Sequence, residues 1–299
     1  MKKVGVIDLG SNSIRLIVAG VYDQRVTTLQ SELIETRLGE KLRPGGNLFP
    51  AARQRTLEAL ICLFERMKEE DVKDGLIVAT SAVREARDGG SFLDAVRKHS
   101  FLPVRLLTPE EEAHYGFLGA REALRNNGFL DEDLIVLDLG GRSSELSWEK
   151  RGHFSYKSFS FGAVSLQEQF LGEGETADLL KARIISELGD ASFLYKKELV
   201  GLGGTVTTLA ALALKLEHYE PGPVHGYLLH KEEIKKWEEI FAGSSPKERR
   251  KLLPFAPQRA DIIIAGTSAL LAIMEYIKKE SLTVSEGGLI WGVIRHNFL

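Results

Sequence analysis

The chain has 299 residues, 43% of them hydrophobic and 27% charged, with a formal net charge of −3. That composition is ordinary for a folded protein with a sizeable core, and it excludes a basic nucleic-acid footprint and a polyacidic tail. An anionic ligand would have to be drawn by local groups and not by the overall field. The single cysteine, Cys62, excludes an internal disulfide and fits a reducing compartment. The N-terminal MKKVGVIDLG enters a strand pattern at once, leaving no room for a signal peptide. No apolar run reaches the roughly 18 residues of a membrane span. These features predict a soluble, cytoplasmic protein with neither nucleic acid nor membrane as partner.

In chain order, apolar patterning predicts strands at 4–9, 14–22 and 26–31, then a helix over about 51–69 opened by Pro50. GLIVATS (75–81) reads as a buried strand, AVREARDGGSFLDAVRKH as helix and PVRLL (103–107) as strand. TPEEEAHYGFLGAREALRNNG has Thr108 as N-cap, Pro109 at the first helical position, Glu111 completing a capping box and Gly128 past the end. The NNGFLDED stretch near residue 128 marks a boundary, giving domains 1–128 and 129–299; whether the last helix packs back on the first domain stays open. The second half opens with strands at 134–138, 144–149 and 153–160 and a helix from about 163. ELVGLGGTVTTLAALALK reads as strand, turn, helix, and Glu220–Pro223 as a loop. Helices near 231–242, 246–253 and 259–279 precede a short strand in LTVSEGG and a last helix in LIWGVIRHNF.

VGVIDLGSNSIRLIVAG (4–20) repeats as LIVLDLGGRSSELSWEK (134–150), with Asp8 on Asp138, Gly10 on Gly140, Ser13 on Ser143 and Leu16 on Leu146. Two copies of strand, Asp-Leu-Gly turn and strand imply two similar domains, each offering a glycine turn to a shared cleft. A third turn lies in GLGGTVT (201–207). Glycine after a strand lets successive N–H groups approach a phosphate, and nearby hydroxyls add donors. There is no GxxxxGK[ST], which excludes a P-loop.

Asp8 and Asp138 end their strands and Glu145 begins the strand after the second turn. Such hard oxygen ligands suit magnesium, although either aspartate could equally be stabilising its own turn. In the run Glu110, Glu111, Glu112, helix capping suffices for the first two. Glu112 heads a small-residue stripe through Gly116, Gly119 and Ala123 and is placed like a general base, with a structural role as the alternative. Arg15, Arg84 and Arg142 lie beside the turns and could either bind an anion or be solvated. His225 and His230 carry no metal-binding spacing and read as structural.

These motifs resemble the exopolyphosphatase/guanosine pentaphosphate phosphatase (Ppx/GppA) family of the sugar kinase/Hsp70/actin superfamily, over nearly the whole chain. The matching stretches are IDLGSNSIRL (7–16), ATSAVREAR (79–87), TPEEEAHYGFLG (108–119), LDLGGRSSEL (137–146), GLGGTVTTLAAL (201–212), RADIIIAG (259–266) and VSEGGLIWGVI (284–294). The resemblance implies an α/β fold of two ribonuclease H-like (actin-like ATPase) domains facing a central cleft. It implies magnesium-dependent hydrolysis of terminal phosphate from polyphosphate or guanosine pentaphosphate, with guanosine tetraphosphate as a related ligand. Glu112 then takes the place of the catalytic glutamate that activates water, with Asp138 and Glu145 positioning metal and water and Asp8 a further metal ligand. Ser11, Asn12, Ser13, Gly141, Ser143, Ser144, Gly204 and Thr205 would hold phosphates, with Arg15 and Arg84 balancing charge.

Three positions depart from the family pattern: Arg142 stands where a third glycine is usual, Glu286 where an aspartate is, and Ile290 where an arginine is. An arginine at the mouth of a polyanion cleft is expected to add a charge-assisted contact; crowding of the loop is the opposing expectation. Two further readings remain open, an ATP-dependent kinase on the same fold and a non-catalytic sensor of polyphosphate or guanosine tetraphosphate. A homodimer is also left open.

Overall fold

A computed structural model describes residues 1–23, 25–43, 45–126, 133–171, 182, 184–187, 192–195 and 197–299. The chain forms two compact units, Met1–Gly119 with Leu289–Leu299, and Ala120–Gly288. The boundary expected near residue 128, and the helix stop at Gly128, lie outside the described residues. The division itself falls within the helix Pro109–Asn126, and the last helix belongs to the first unit.

The first unit is built on a five-stranded sheet in the order β3-β2-β1-β4-β5. Its strands are β1 (Lys2–Leu9), β2 (Ser13–Tyr22), β3 (Arg25–Glu35), β4 (Asp74–Ala79) and β5 (Val104–Leu106). β1, β2 and β3 form an antiparallel meander, while β1, β4 and β5 run parallel. Strands buried on both faces must be apolar on both, and β1 is: Ile7 and Leu9 join one core with Phe64, Ile77 and Phe92. Val4 and Val6, on the alternate face, join Tyr115, Val293 and Ile294. Helices α1 (Pro50–Glu69), α2 (Ser81–Glu85), α3 (Gly89–His99) and α4 (Pro109–Asn126) follow in order.

The second unit repeats this topology. β6 (Leu134–Leu139), β7 (Ser144–Lys150) and β8 (His153–Phe159) form the meander, β9 (Glu198–Leu202) runs parallel to β6, and β11 (Ser281–Val284) runs parallel to β9. The order β10-β11-β9-β6-β7-β8 is that of the first sheet with β10 (Leu228–His230) added at one edge. Each unit thus has the ribonuclease H-like arrangement. Its helices are α5 (Ala163–Leu166), α6 (Gly204–Ala213), α7 (Pro221–Val224), α8 (Lys231–Ala242), α9 (Pro246–Leu252) and α10 (Ile263–Tyr276). The closing helix α11 (Leu289–Phe298) returns to the first unit.

Several elements differ from their sequence expectation. The stretch read as one helix from Ala82 breaks into α2 and α3, with Ala86 extended. The Asp88 carboxylate accepts hydrogen bonds from Leu48 N (2.8 Å) and Arg53 Nη1 (3.1 Å), a tertiary anchor that fixes the break. The Glu220–Pro223 loop contains the short helix α7, started by Pro221. The helix expected over 259–279 is a 3-10 turn, Pro257–Asp261, followed by α10. No helix among the described residues is long and apolar enough to cross a membrane.

Candidate active site

The repeated turns keep the same hydrogen bond. Gly10 N donates to Ser13 O at 3.1 Å, and Gly140 N to Ser143 O at 3.1 Å. Pairing register then sets what faces each aspartate. Asp8 at the end of β1 opposes Arg15 on β2, whereas Asp138 at the end of β6 opposes Glu145 on β7. Opposed residues of an antiparallel pair share one face with Cβ atoms about 5 Å apart, so the first turn carries opposite charges and the second carries two like ones.

The second pair is enclosed. Glu145 is buried, and Ser158 Oγ donates to its Oε1 at 3.0 Å. Part of Asp138 reaches the surface, but its carboxyl lies deep enough for burial to push its pKa up from 3.8 to about 6. Two adjoining carboxylates in such a place need a proton or a cation. They fit a hard divalent ion that keeps several waters. Among the described residues no three His, Cys, Asp or Glu side chains come together as an all-protein metal cage. Asp8, opposite a cation, has a different electrostatic setting from Asp138.

In the first unit, Thr108 and Glu111 form the expected reciprocal cap of α4: Thr108 N donates to Glu111 Oε2 (2.9 Å) and Glu111 N to Thr108 Oγ1 (3.2 Å). Slight burial opposes it, but the Thr108 hydrogen bonds and the Arg105 guanidinium hold the Glu111 carboxyl below its ordinary pKa. Glu112 is released from capping. Its Oε2 accepts from Arg84 Nη1 at 3.0 Å, and the same nitrogen donates to Leu107 O at 2.9 Å. α11 packs closely on α4 in this unit, where a Cβ at Gly292 would strike the Tyr115 carbonyl.

The remaining predicted ligands divide. Ser11 Oγ lies 2.9 Å from Ser81 Oγ, which joins the first turn to the start of α2, one of the other motifs. Asn12 is occupied locally: its carbonyl accepts from Thr36 N and Arg37 N, and its Nδ2 donates to Glu35 Oε1 at 3.2 Å. Ser144 Oγ donates to Phe161 O at 2.8 Å inside the core, and the Gly141 carbonyl accepts from Val164 N and Ser165 N. Arg142, expected at a cleft mouth, is only 4% exposed and donates to Glu168 Oε2 at 3.3 Å. Glu168 lies in a π-helical turn, Gln167–Leu171, just after α5.

The third turn supplies a residue that sequence reasoning assigned no role. Gly203 has φ +96°, and a Cβ there would collide with Leu139 O, so only glycine brings this turn against the second one. Gly204 begins α6, and its Cβ position is filled by the guanidinium of Arg259. Thr205 turns its hydroxyl towards Gly266 of α10, which leaves its main chain at the helix start. A guanidinium laid on a helix N-terminus sets like charge on like, an arrangement that an anion between them would stabilise. The RAD tripeptide was visible in sequence, but its proximity to a turn 55 positions earlier was not.

Residues 17–299 match the Ppx/GppA phosphatase family. The chain is 29% identical over 314 residues to exopolyphosphatase 2 of Mycobacterium tuberculosis, covering 98% of both chains. It is 26% identical over 304 residues to the guanosine-5'-triphosphate,3'-diphosphate pyrophosphatase of Aeromonas salmonicida, covering 97% of this chain and 59% of that one. It spans 45% of a bifunctional 3-dehydroquinate synthase/phosphatase of Fusobacterium nucleatum, at 28% identity over 96% of its own length. The crystal structure of the Aquifex aeolicus family member superposes with a TM-score of 0.79 at 31% identity, over 99% of this chain and 97% of that one. The chain belongs to the Ppx/GppA phosphatase family.

Proposed function

We propose that this chain is a magnesium-dependent phosphohydrolase that releases the terminal phosphate of inorganic polyphosphate or guanosine pentaphosphate. The observation that carries the mechanism is the 3.0 Å bond from Arg84 to Glu112, which fixes a carboxylate that capping leaves unused. Glu112 would take a proton from water as the water oxygen bonds to the terminal phosphorus. The bond from that phosphorus to the bridging oxygen breaks, and its electron pair leaves with the shortened polyphosphate. Arg84 holds the base in one orientation, which is the chief protein contribution to a reaction of positioning and electrostatics.

Asp138 and Glu145 would hold the magnesium ion, which when bound offsets their charge and that of the phosphates. The glycine turns supply main-chain donors, and Arg259 beside Gly204 adds a cation to the α6 N-terminus. The relatives named exopolyphosphatase and guanosine-5'-triphosphate,3'-diphosphate pyrophosphatase support the substrate class. Phosphate release from long-chain polyphosphate and from guanosine pentaphosphate, each with magnesium and with chelator, tests this reading. Metal-dependent release from at least one substrate is expected; release from neither would overturn it.

A further inference from the structure

Arg249 lies on α9, and its guanidinium gathers three main-chain carbonyls from two parts of the second unit. Nε donates to Ala260 O at 2.9 Å, and Nη1 donates to Phe241 O at 3.2 Å and Ser244 O at 2.6 Å. Phe241 lies in the last turn of α8, Ser244 follows that helix, and Ala260 lies in the 3-10 turn Pro257–Asp261. Arg259 is the residue before Ala260. α9 is itself anchored, because Ser245 and Glu248 form a reciprocal cap, with Ser245 N to Glu248 Oε2 at 2.8 Å. Beside it, Arg250 Nη2 meets Asp261 Oδ1 at 3.4 Å.

The 3-10 turn is short, and its Ala260 is fully buried in the core of the second unit. It is five residues long, and main-chain bonds at its ends run from Arg259 N to Ala256 O and from Ile262 N to Arg259 O, both 3.0 Å. Arg249 adds a side-chain hydrogen bond to the main chain of that turn from across the α8–α9 corner, beside the Arg250 contact to Asp261. A planar guanidinium can reach several carbonyls in one fixed fork, whereas an ammonium is a point charge on a flexible stem. Helix α9 thus ends as a strut under the residue whose guanidinium covers Gly204.

We propose that Arg249 is a positioning residue for Arg259: by binding Ala260 O while tied to Phe241 O and Ser244 O, it holds the Arg259 guanidinium on the N-terminus of α6, ready for a phosphate. This rests on the reading that Arg259 meets a substrate anion. A purely structural Arg249 would change stability alone, whereas a positioning Arg249 changes anion affinity and does so only through Arg259.

The test is a double-mutant cycle read as the Kd for inorganic tripolyphosphate by calorimetry, with the melting temperature of each variant recorded. Arg259→Ala is expected to weaken binding about tenfold or more, the range of a lost charge-assisted hydrogen bond. Arg249→Lys is expected to weaken it about threefold or more, and to have no further effect in the Arg259→Ala background. Arg249→Gln, which keeps one donor, serves in its place if the lysine variant does not fold. Unchanged affinity in Arg259→Ala, or no tripolyphosphate binding by the wild type, would overturn the reading of Arg259. Weaker binding in Arg259→Ala with full affinity in Arg249→Lys, or with additive losses, would overturn the positioning role alone.

Discussion

Arg84 binds Glu112 and the main chain of Leu107 through a single nitrogen, Nη1, at 3.0 and 2.9 Å. The arginine and the glutamate are 23% and 12% exposed, so the pair is sheltered but not sealed. Removing the guanidinium would free the carboxylate to rotate. Arg84→Met is predicted to lower kcat by about tenfold or more, a fraction of the loss expected for the base itself. Arg84→Lys should recover part of that activity, since an ammonium can still reach one of the two acceptors. Steady-state phosphate release would record both; full activity in Arg84→Met would show that the pair is structural.

The acid pair of the second turn predicts a metal-linked and pH-linked stability. Asp138 has a folded pKa of about 6 against an ordinary 3.8, because of burial. A carboxyl raised by folding contributes stability that is complete below about 3.8 and is lost as pH rises through about 6. In metal-free protein this group is therefore predicted to lose on the order of 2 kcal/mol from mildly acidic to neutral pH. Asp138→Asn should melt above the wild type at pH ~8 in chelator, converging with it at pH ~4. Magnesium should raise the wild-type melting temperature more than that of the variant. Parallel melting curves at every pH, with equal magnesium shifts, would exclude this site.

Arg142 was expected to add a contact to the substrate, yet its buried guanidinium is engaged by Glu168. That pairing ties the second glycine turn to the π-helical segment after α5. Glu168 is one-third exposed, so solvent screening reduces the pair's worth below that of a fully buried one. Arg142→Ala is predicted to cost roughly 1–2 kcal/mol of stability by denaturant unfolding, with Glu168→Gln costing less. KM should move less than twofold if the arginine serves the loop, and upward by tenfold if it reaches the phosphate.

Much of the fold was legible because it is local or repeated. The offset that sets Asp8 on Asp138 reappears in the two sheets and in the matched Gly10 and Gly140 hydrogen bonds. The α4 cap was legible because Thr108 and Glu111 contact each other across one turn. The break between α2 and α3 was not, because Asp88 draws its partners from Leu48 and Arg53, some 35 to 40 positions away. The different settings of Asp8 and Asp138 could have been read from the alignment, since Arg15 falls on Glu145. Arg259 could not, for nothing near it in sequence announces Gly204.

The most direct test of the mechanism is Glu112→Gln, assayed for phosphate release from polyphosphate and guanosine pentaphosphate alongside its affinity for tripolyphosphate. The amide keeps the size of the side chain but cannot accept the water proton. A fall in kcat of about 100-fold or more with tripolyphosphate affinity unchanged is predicted. Turnover equal to the wild type would contradict the assignment of Glu112 as the base.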